Sequence, residues 1–198
     1  MTKIVAITGG IGSGKTTFSN HLKKLGYVVH ESDLIVSEIY TKPNKQFLNF
    51  IREKVSHDAV NNKKINKTEI ANVIFNNNTI KKLLERRIHK EVQSSREAFI
   101  KKYTKKKKKI IFADIPLLFE NKLEKGFDSV ICIISLKKNR VKRVLKNKKF
   151  TKENLYKIFK SQTTDKERKK RSQIIIYNNK TKKDFIFSVE KVLTRLIK

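Results

Sequence analysis

Short unbroken apolar runs alternate along the chain with stretches in which apolar residues recur every three or four positions. The unbroken runs, residues 3–8, 27–30, 109–114, 128–134 and 173–177, have the length of buried strands. Between the first two, Phe18, Leu22 and Leu25 share one helical face, and Gly26 stands where a helix stops. Strand and helix in alternation predict an α/β fold, a three-layer αβα arrangement around a five-stranded parallel sheet. Residues 31–108 are far more than a crossover needs. Within them Asn66 and Glu69 have capping-box spacing before Ile70, Val73 and Ile74, and Ile80, Leu83, Leu84, Ile88 and Val92 form a stripe, so a helical insertion is expected.

After the fourth run, Val141, Val144 and Leu145 define an amphipathic helix. The charged stretch from Lys146 to Arg171 offers only Leu155, Ile158 and Phe159, enough for a short helix without deep burial, as a lid would have. Phe185, Val189, Val192, Leu193 and Leu196 line a last helix that closes against the sheet. The expected organisation is a nucleotide-binding core of residues 1–33 and 107–198, an insertion over 34–106 and a lid at 147–171.

The chemistry begins where the first run ends. Gly9, Gly14, Lys15 and Thr16 satisfy the P-loop spacing, with a strand before and a helix after; a P-loop kinase scaffold uses such a loop, and so do motors and switches. The backbone of Gly10, Ile11, Gly12, Ser13, Gly14, Lys15, Thr16 and Thr17 curls its N–H groups toward phosphate oxygens, and the helix dipole favours the same anion. Lys15 reaches the β and γ phosphates of ATP, and the Thr16 hydroxyl is a ligand for Mg²⁺. Asp114 ends the third run and suits the metal side of the site. Asp33 follows the second run and reads equally as a base toward an attacking hydroxyl or as a helix N-cap. Arg140 and Arg143 lie three residues apart on one helix, with Arg168 beyond the lid; phosphoryl transfer uses such arginines, and many surface arginines do nothing similar. No DxxG or NKxD motif supports a GTPase, and 198 residues leave little room for a motor or helicase.

The formal charge of +30 raises the question of nucleic acid. Lysines outnumber arginines 39 to 9 and occur in every segment, so the charge reads as a compositional bias and no specific nucleic-acid partner is expected. Lys105 to Lys109 read as a solvated helix end. No run is long enough to span a membrane and no leader pattern opens the chain, so a cytoplasmic protein, a monomer or a weak homo-oligomer, is expected. Cys132 sits inside an apolar run and reads as a small buried hydrophobe.

These residues resemble the dephospho-coenzyme A kinase family. The match runs through Ile7 to Thr17, the Asp33-Leu34-Ile35 stretch, Ile74-Phe75, Asp114 to Glu120 and Gln162, in the family's order over nearly the whole chain. The stretch Pro116-Leu117-Leu118-Phe119-Glu120 discriminates this family from other P-loop proteins. The resemblance implies transfer of the ATP γ phosphate to the ribose 3′-hydroxyl of dephospho-coenzyme A, giving coenzyme A and ADP, the final step of coenzyme A synthesis. It implies Asp33 as base, Arg143 at the nucleotide, Asn178 near the adenine, and His89 with Pro116 to Glu120 at the acceptor. The chain departs from the family pattern at Glu31, which stands two residues before Asp33, at His89-Lys90 in place of His-Pro, at Asn147-Lys148 in place of the lid's Arg-Asp, and at Tyr177 in place of an acid.

Overall fold

The computed structural model describes residues 1–147 and 150–197; Lys148, half of the Asn147-Lys148 departure, lies outside the described residues. Two compact units divide the chain, Met1–Glu31 with Ile100–Lys198, and Ser32–Phe99. The chain order is β1 (Lys3–Thr8), α1 (Lys15–Lys24), β2 (Val28–Glu31), α2 (Ser32–Thr41), α3 (Lys45–Lys54), β3 (Val60–Asn61), β4 (Lys64–Ile65), α4 (Lys67–Asn76) and α5 (Asn78–Lys105). It continues with β5 (Ile110–Asp114), β6 (Ser129–Ile134), α6 (Lys137–Lys146), α7 (Lys152–Ser161), α8 (Asp165–Lys170), β7 (Ile174–Tyr177) and α9 (Lys182–Ile197).

The first unit holds the five-stranded parallel sheet in the order β2-β5-β1-β6-β7. Its strands are the five apolar runs, and alternation along them supplies both faces. Val5, Ile7, Phe112, Ile131 and Ile133 pack with Phe18 and Leu22 of α1 and Phe185, Val189 and Leu193 of α9. Ala6, Ala113 and Val130 point the other way, into a smaller cluster with Ile115, Leu118 and Phe119. Helix α1 ends on a Schellman motif: the Gly26 N–H donates to Lys23 and the Tyr27 N–H to Leu22, with Gly26 at a φ of 81° that few side chains tolerate.

The lid segment departs from its expectation. Leu155 of α7 is fully buried, so the helix is anchored in the unit and does not merely rest on it. Thr151 caps α7 by accepting the Asn154 N–H, and Thr164 caps α8 by accepting that of Glu167. Lys105 to Lys109 are exposed, as a solvated helix end requires.

The second unit has its own core, in which Phe47, Leu48, Ile51, Ala59, Ile70 and Leu84 are joined by Tyr40, Ile80 and Ile88. Asn66 caps α4 by accepting the N–H groups of Thr68 and Glu69, but only half of the expected capping box forms, because the Glu69 carboxylate accepts from the Ser56 hydroxyl instead. Helix α3 and the β3-β4 hairpin were not anticipated from the pattern of apolar residues. The hairpin turns on Asn62 and Lys63, both at positive φ, the geometry of a type I′ turn without its usual glycine.

Candidate active site

The P-loop lies at the carboxyl end of the central strand β1, where a parallel sheet gathers its functional loops. Gly14 forms the N-cap of α1 at a φ of 112°, and a Cβ there would collide with the Asn178 side-chain amide. The loop is therefore shaped by what lies behind it. Asn178 Nδ2 donates to the Ser13 carbonyl at 2.8 Å. Arg143 Nη1 donates to the Gly12 carbonyl at 3.3 Å and to Ser135 Oγ at 3.0 Å, and Arg143 Nη2 donates to the Asn178 carbonyl at 2.9 Å. Ser135 Oγ in turn donates to that same carbonyl at 2.7 Å. These bonds tie down carbonyls behind the loop, and within it the Ser13 N–H donates to the Gly10 carbonyl at 3.1 Å. Lys15 Nζ donates to the Gly9 carbonyl at 2.7 Å, folded back on the loop it serves.

Beside the loop, two arginines approach Gly10 so closely that a Cβ there would meet both guanidinium groups, of Arg140 and Arg168. Arg168 is 2% exposed and donates to Asp165 Oδ1 at 3.0 Å and Glu120 Oε1 at 3.3 Å. Arg140 donates to Asp165 Oδ2 at 3.0 Å and stacks its guanidinium 5.1 Å from the Phe159 ring centroid. Burial pulls the Arg140 pKa below its ordinary value, and Asp165 pulls it back up.

Asp114 ends β5, in register with Ile7 on one side and Glu31 on the other, and its Oδ2 accepts from the Ser19 hydroxyl of α1 at 2.8 Å. Thr16 is exposed on the first turn of α1. These are hard oxygen donors of the kind Mg²⁺ prefers. Among the described residues no cluster of three or more His, Cys, Asp or Glu side chains forms a metal cage.

The other residues singled out in the sequence are distributed differently. Asp33 lies inside the first turn of α2, exposed, with no capping bond, so the N-cap reading falls away. His89 is exposed on α5, beside Ile88, which packs in the core of the second unit; it is not a packed helix histidine. Of Pro116 to Glu120, Leu118 and Phe119 are buried in the core and turn no side chain outward, whereas Leu117 is 42% exposed. The Glu120 carboxylate accepts the Thr163 N–H at 2.7 Å, as well as Arg168. Cys132 is fully buried, and desolvation pushes its thiol pKa up to about 11.

The sequence model of the dephospho-CoA kinase family matches residues 3–184. The chain belongs to the dephospho-CoA kinase family. It is 32% identical over 195 residues to a dephospho-CoA kinase of Fusobacterium nucleatum, covering 95% of each chain. It is 31% identical to one of Bartonella quintana, covering 99% of each. Among solved structures, a dephospho-CoA kinase from Campylobacter jejuni superposes with a TM-score of 0.75 at 25% identity, covering 99% of this chain and 98% of that one. Shikimate kinase from Acinetobacter baumannii, at a TM-score of 0.52 and 14% identity, shares the fold, with 100% of this chain and 94% of that one covered. Membership in this family thus accounts for the P-loop and for the 116–120 stretch together.

Proposed function

We propose that this chain is a dephospho-CoA kinase, a phosphotransferase that moves the γ phosphate of ATP to the ribose 3′-hydroxyl of dephospho-coenzyme A and releases coenzyme A and ADP. The observation that carries it is the complete P-loop, braced from behind by Arg143 and Asn178, in a chain matching the family over residues 3–184. The N–H groups of residues 10–17, apart from those of Ile11 and Ser13, which donate to Gln162 and to the Gly10 carbonyl, hold the triphosphate, and Lys15 neutralises charge building between the β and γ phosphates. Asp33 accepts the proton as the 3′ oxygen attacks phosphorus and the bond to ADP breaks. Thr16 and Asp114 are the residues that would hold Mg²⁺, whose charge, when bound, offsets that of the phosphates.

The unit Ser32–Phe99 serves as the acceptor-binding insertion, with His89 as its acceptor contact; within the other unit, Leu117 is the most exposed side chain of the 116–120 stretch, which is assigned to the acceptor as well. Arg143 acts by positioning the loop, its guanidinium being committed to the loop's own carbonyl and to Ser135 and Asn178. Asn178 supports the same loop on the adenine side. No helix among the described residues is long and apolar enough to cross a membrane, and we place the enzyme in the cytoplasm as a monomer or weak homo-oligomer.

The test is a panel of acceptors with purified protein, ATP and Mg²⁺. ADP formation should depend on dephospho-coenzyme A and fall about 10³–10⁵-fold in Lys15→Ala, the scale of losing a cation from a developing phosphoryl charge. Turnover that ignores this acceptor, or that follows nucleosides or RNA instead, overturns the assignment.

A further inference from the structure

The corner between α7 and α8 holds two functional stretches at once. Gln162, the residue on which α7 ends, accepts the Ile11 N–H on its side-chain Oε1 at 3.1 Å. The next residue, Thr163, donates its N–H to Glu120 at 2.7 Å. The partners lie 151 and 43 residues away in the chain, so the corner joins the P-loop to the 116–120 stretch. Buried Leu155 and the Thr151 cap hold α7 in place on one side, and Arg168, gripped by Asp165 and Glu120, holds α8 on the other.

Ile11 lies between Gly10 and Gly12, in the part of the loop with least side chain to hold its peptides in place. A backbone N–H at such a position needs an acceptor. An amide oxygen supplies one without placing a negative charge beside the phosphates. A cavity of about 160 Å³ adjoins the contact, lined by Lys137, Arg140, Gln162, Asp165 and Arg168, so the surroundings are cationic on balance.

We infer that Gln162 is a positioning residue for phosphoryl transfer: its side-chain carbonyl orients the Ile11 peptide of the phosphate-binding loop and makes ATP affinity depend on the docking of α7. This rests on the kinase reading of the P-loop. Gln162→Leu keeps the bulk and removes the acceptor. Gln162→Glu keeps an acceptor for the Ile11 N–H in the protein without nucleotide.

Two measurements test it on the full chain. Amide hydrogen exchange at Ile11, read by NMR without nucleotide, should be about tenfold faster in Gln162→Leu and unchanged in Gln162→Glu. The Kd for ATP and its KM should rise about five- to tenfold in Gln162→Leu, with kcat and the KM for dephospho-coenzyme A within about twofold of the parent. Where Gln162→Leu does not fold, Gln162→Asn, which withdraws the carbonyl by one methylene, should behave as the leucine variant would. Unchanged Ile11 exchange and ATP affinity in the leucine or asparagine variant overturns the inference. So does Ile11 exchange that is equally fast in the glutamate variant without nucleotide, which marks Gln162 as packing alone. Absence of turnover in the parent protein would count against the kinase reading, while the exchange and ATP-binding results would still decide the role of Gln162.

Discussion

The two units of this chain hold themselves together in opposite ways. In the nucleotide unit, the polar bonds that shape the P-loop join Gly12 to Arg143, Ser13 to Asn178 and Ile11 to Gln162, across 131, 165 and 151 residues. In the Ser32–Phe99 unit, polar bonds are local, such as Asn44 to Phe47, Asn66 to Glu69 and Arg87 to Glu91, and an apolar cluster does the rest. Architecture and binding are one set of bonds in the first unit. In the second, the residues proposed for chemistry, Asp33 and His89, stand exposed and apart from the packed core.

Four substitutions would break or sharpen this contrast. Asp33→Asn should lower kcat by about 10²–10⁴-fold, the usual scale for losing a general base, with melting temperature and ATP affinity unchanged. A large drop in melting temperature would mean that function and stability are not separable there. Phe47→Ala should cost about 3–5 kcal/mol in the second unit. Phe47 is fully buried and meets Tyr40 edge-on at 5.8 Å. Loss of exchange protection should stay within residues 45–88, and ATP affinity should hold; weakened ATP binding would show that the units share stability. Arg143→Lys keeps the charge but not the fork that spans Gly12, Ser135 and Asn178, and should weaken ATP binding by about tenfold in calorimetry.

The smallest effect at neutral pH is that of Cys132. Its thiol stays protonated in the fold up to about 11, whereas the unfolded chain begins to release that proton near pH 9. Below pH 9 the group is neutral in both states and the difference costs nothing. As pH rises toward 11 the unfolded state binds fewer protons than the native one, so stability falls by about 2–3 kcal/mol. Urea unfolding across this range should show the decline, and Cys132→Ala should flatten it. Thiol reagents at pH 8 should leave the folded parent almost unlabelled.

Much of the nucleotide unit was legible beforehand because each strand is a closed apolar run and the P-loop is contiguous. The residues of its P-loop motif are defined by spacing alone. The bracing behind the loop was not legible in the same way. Arg143 is picked out by its spacing from Arg140 and by resemblance, Asn178 and Gln162 by resemblance alone, but nothing local indicates which carbonyl or N–H each one meets. Periodicity also undervalued Leu155, whose charged neighbours suggested shallow packing although α7 is anchored through it. In the second unit, the stripe on α5 was visible, while α3 and the hairpin were not. A turn of Asn62 and Lys63 lacks the glycine that usually betrays a type I′ turn. The acidic end of β5 showed Asp114, but its hydrogen bond from Ser19 depends on how α1 lies on the sheet.

The distance between Ser13 and Asn178 along the chain has a consequence for synthesis. The P-loop is translated among the first residues, yet the side chains that brace it, at 143, 162 and 178, come from the last third. A growing chain halted before Asn178 carries every residue of the P-loop motif and lacks its backing.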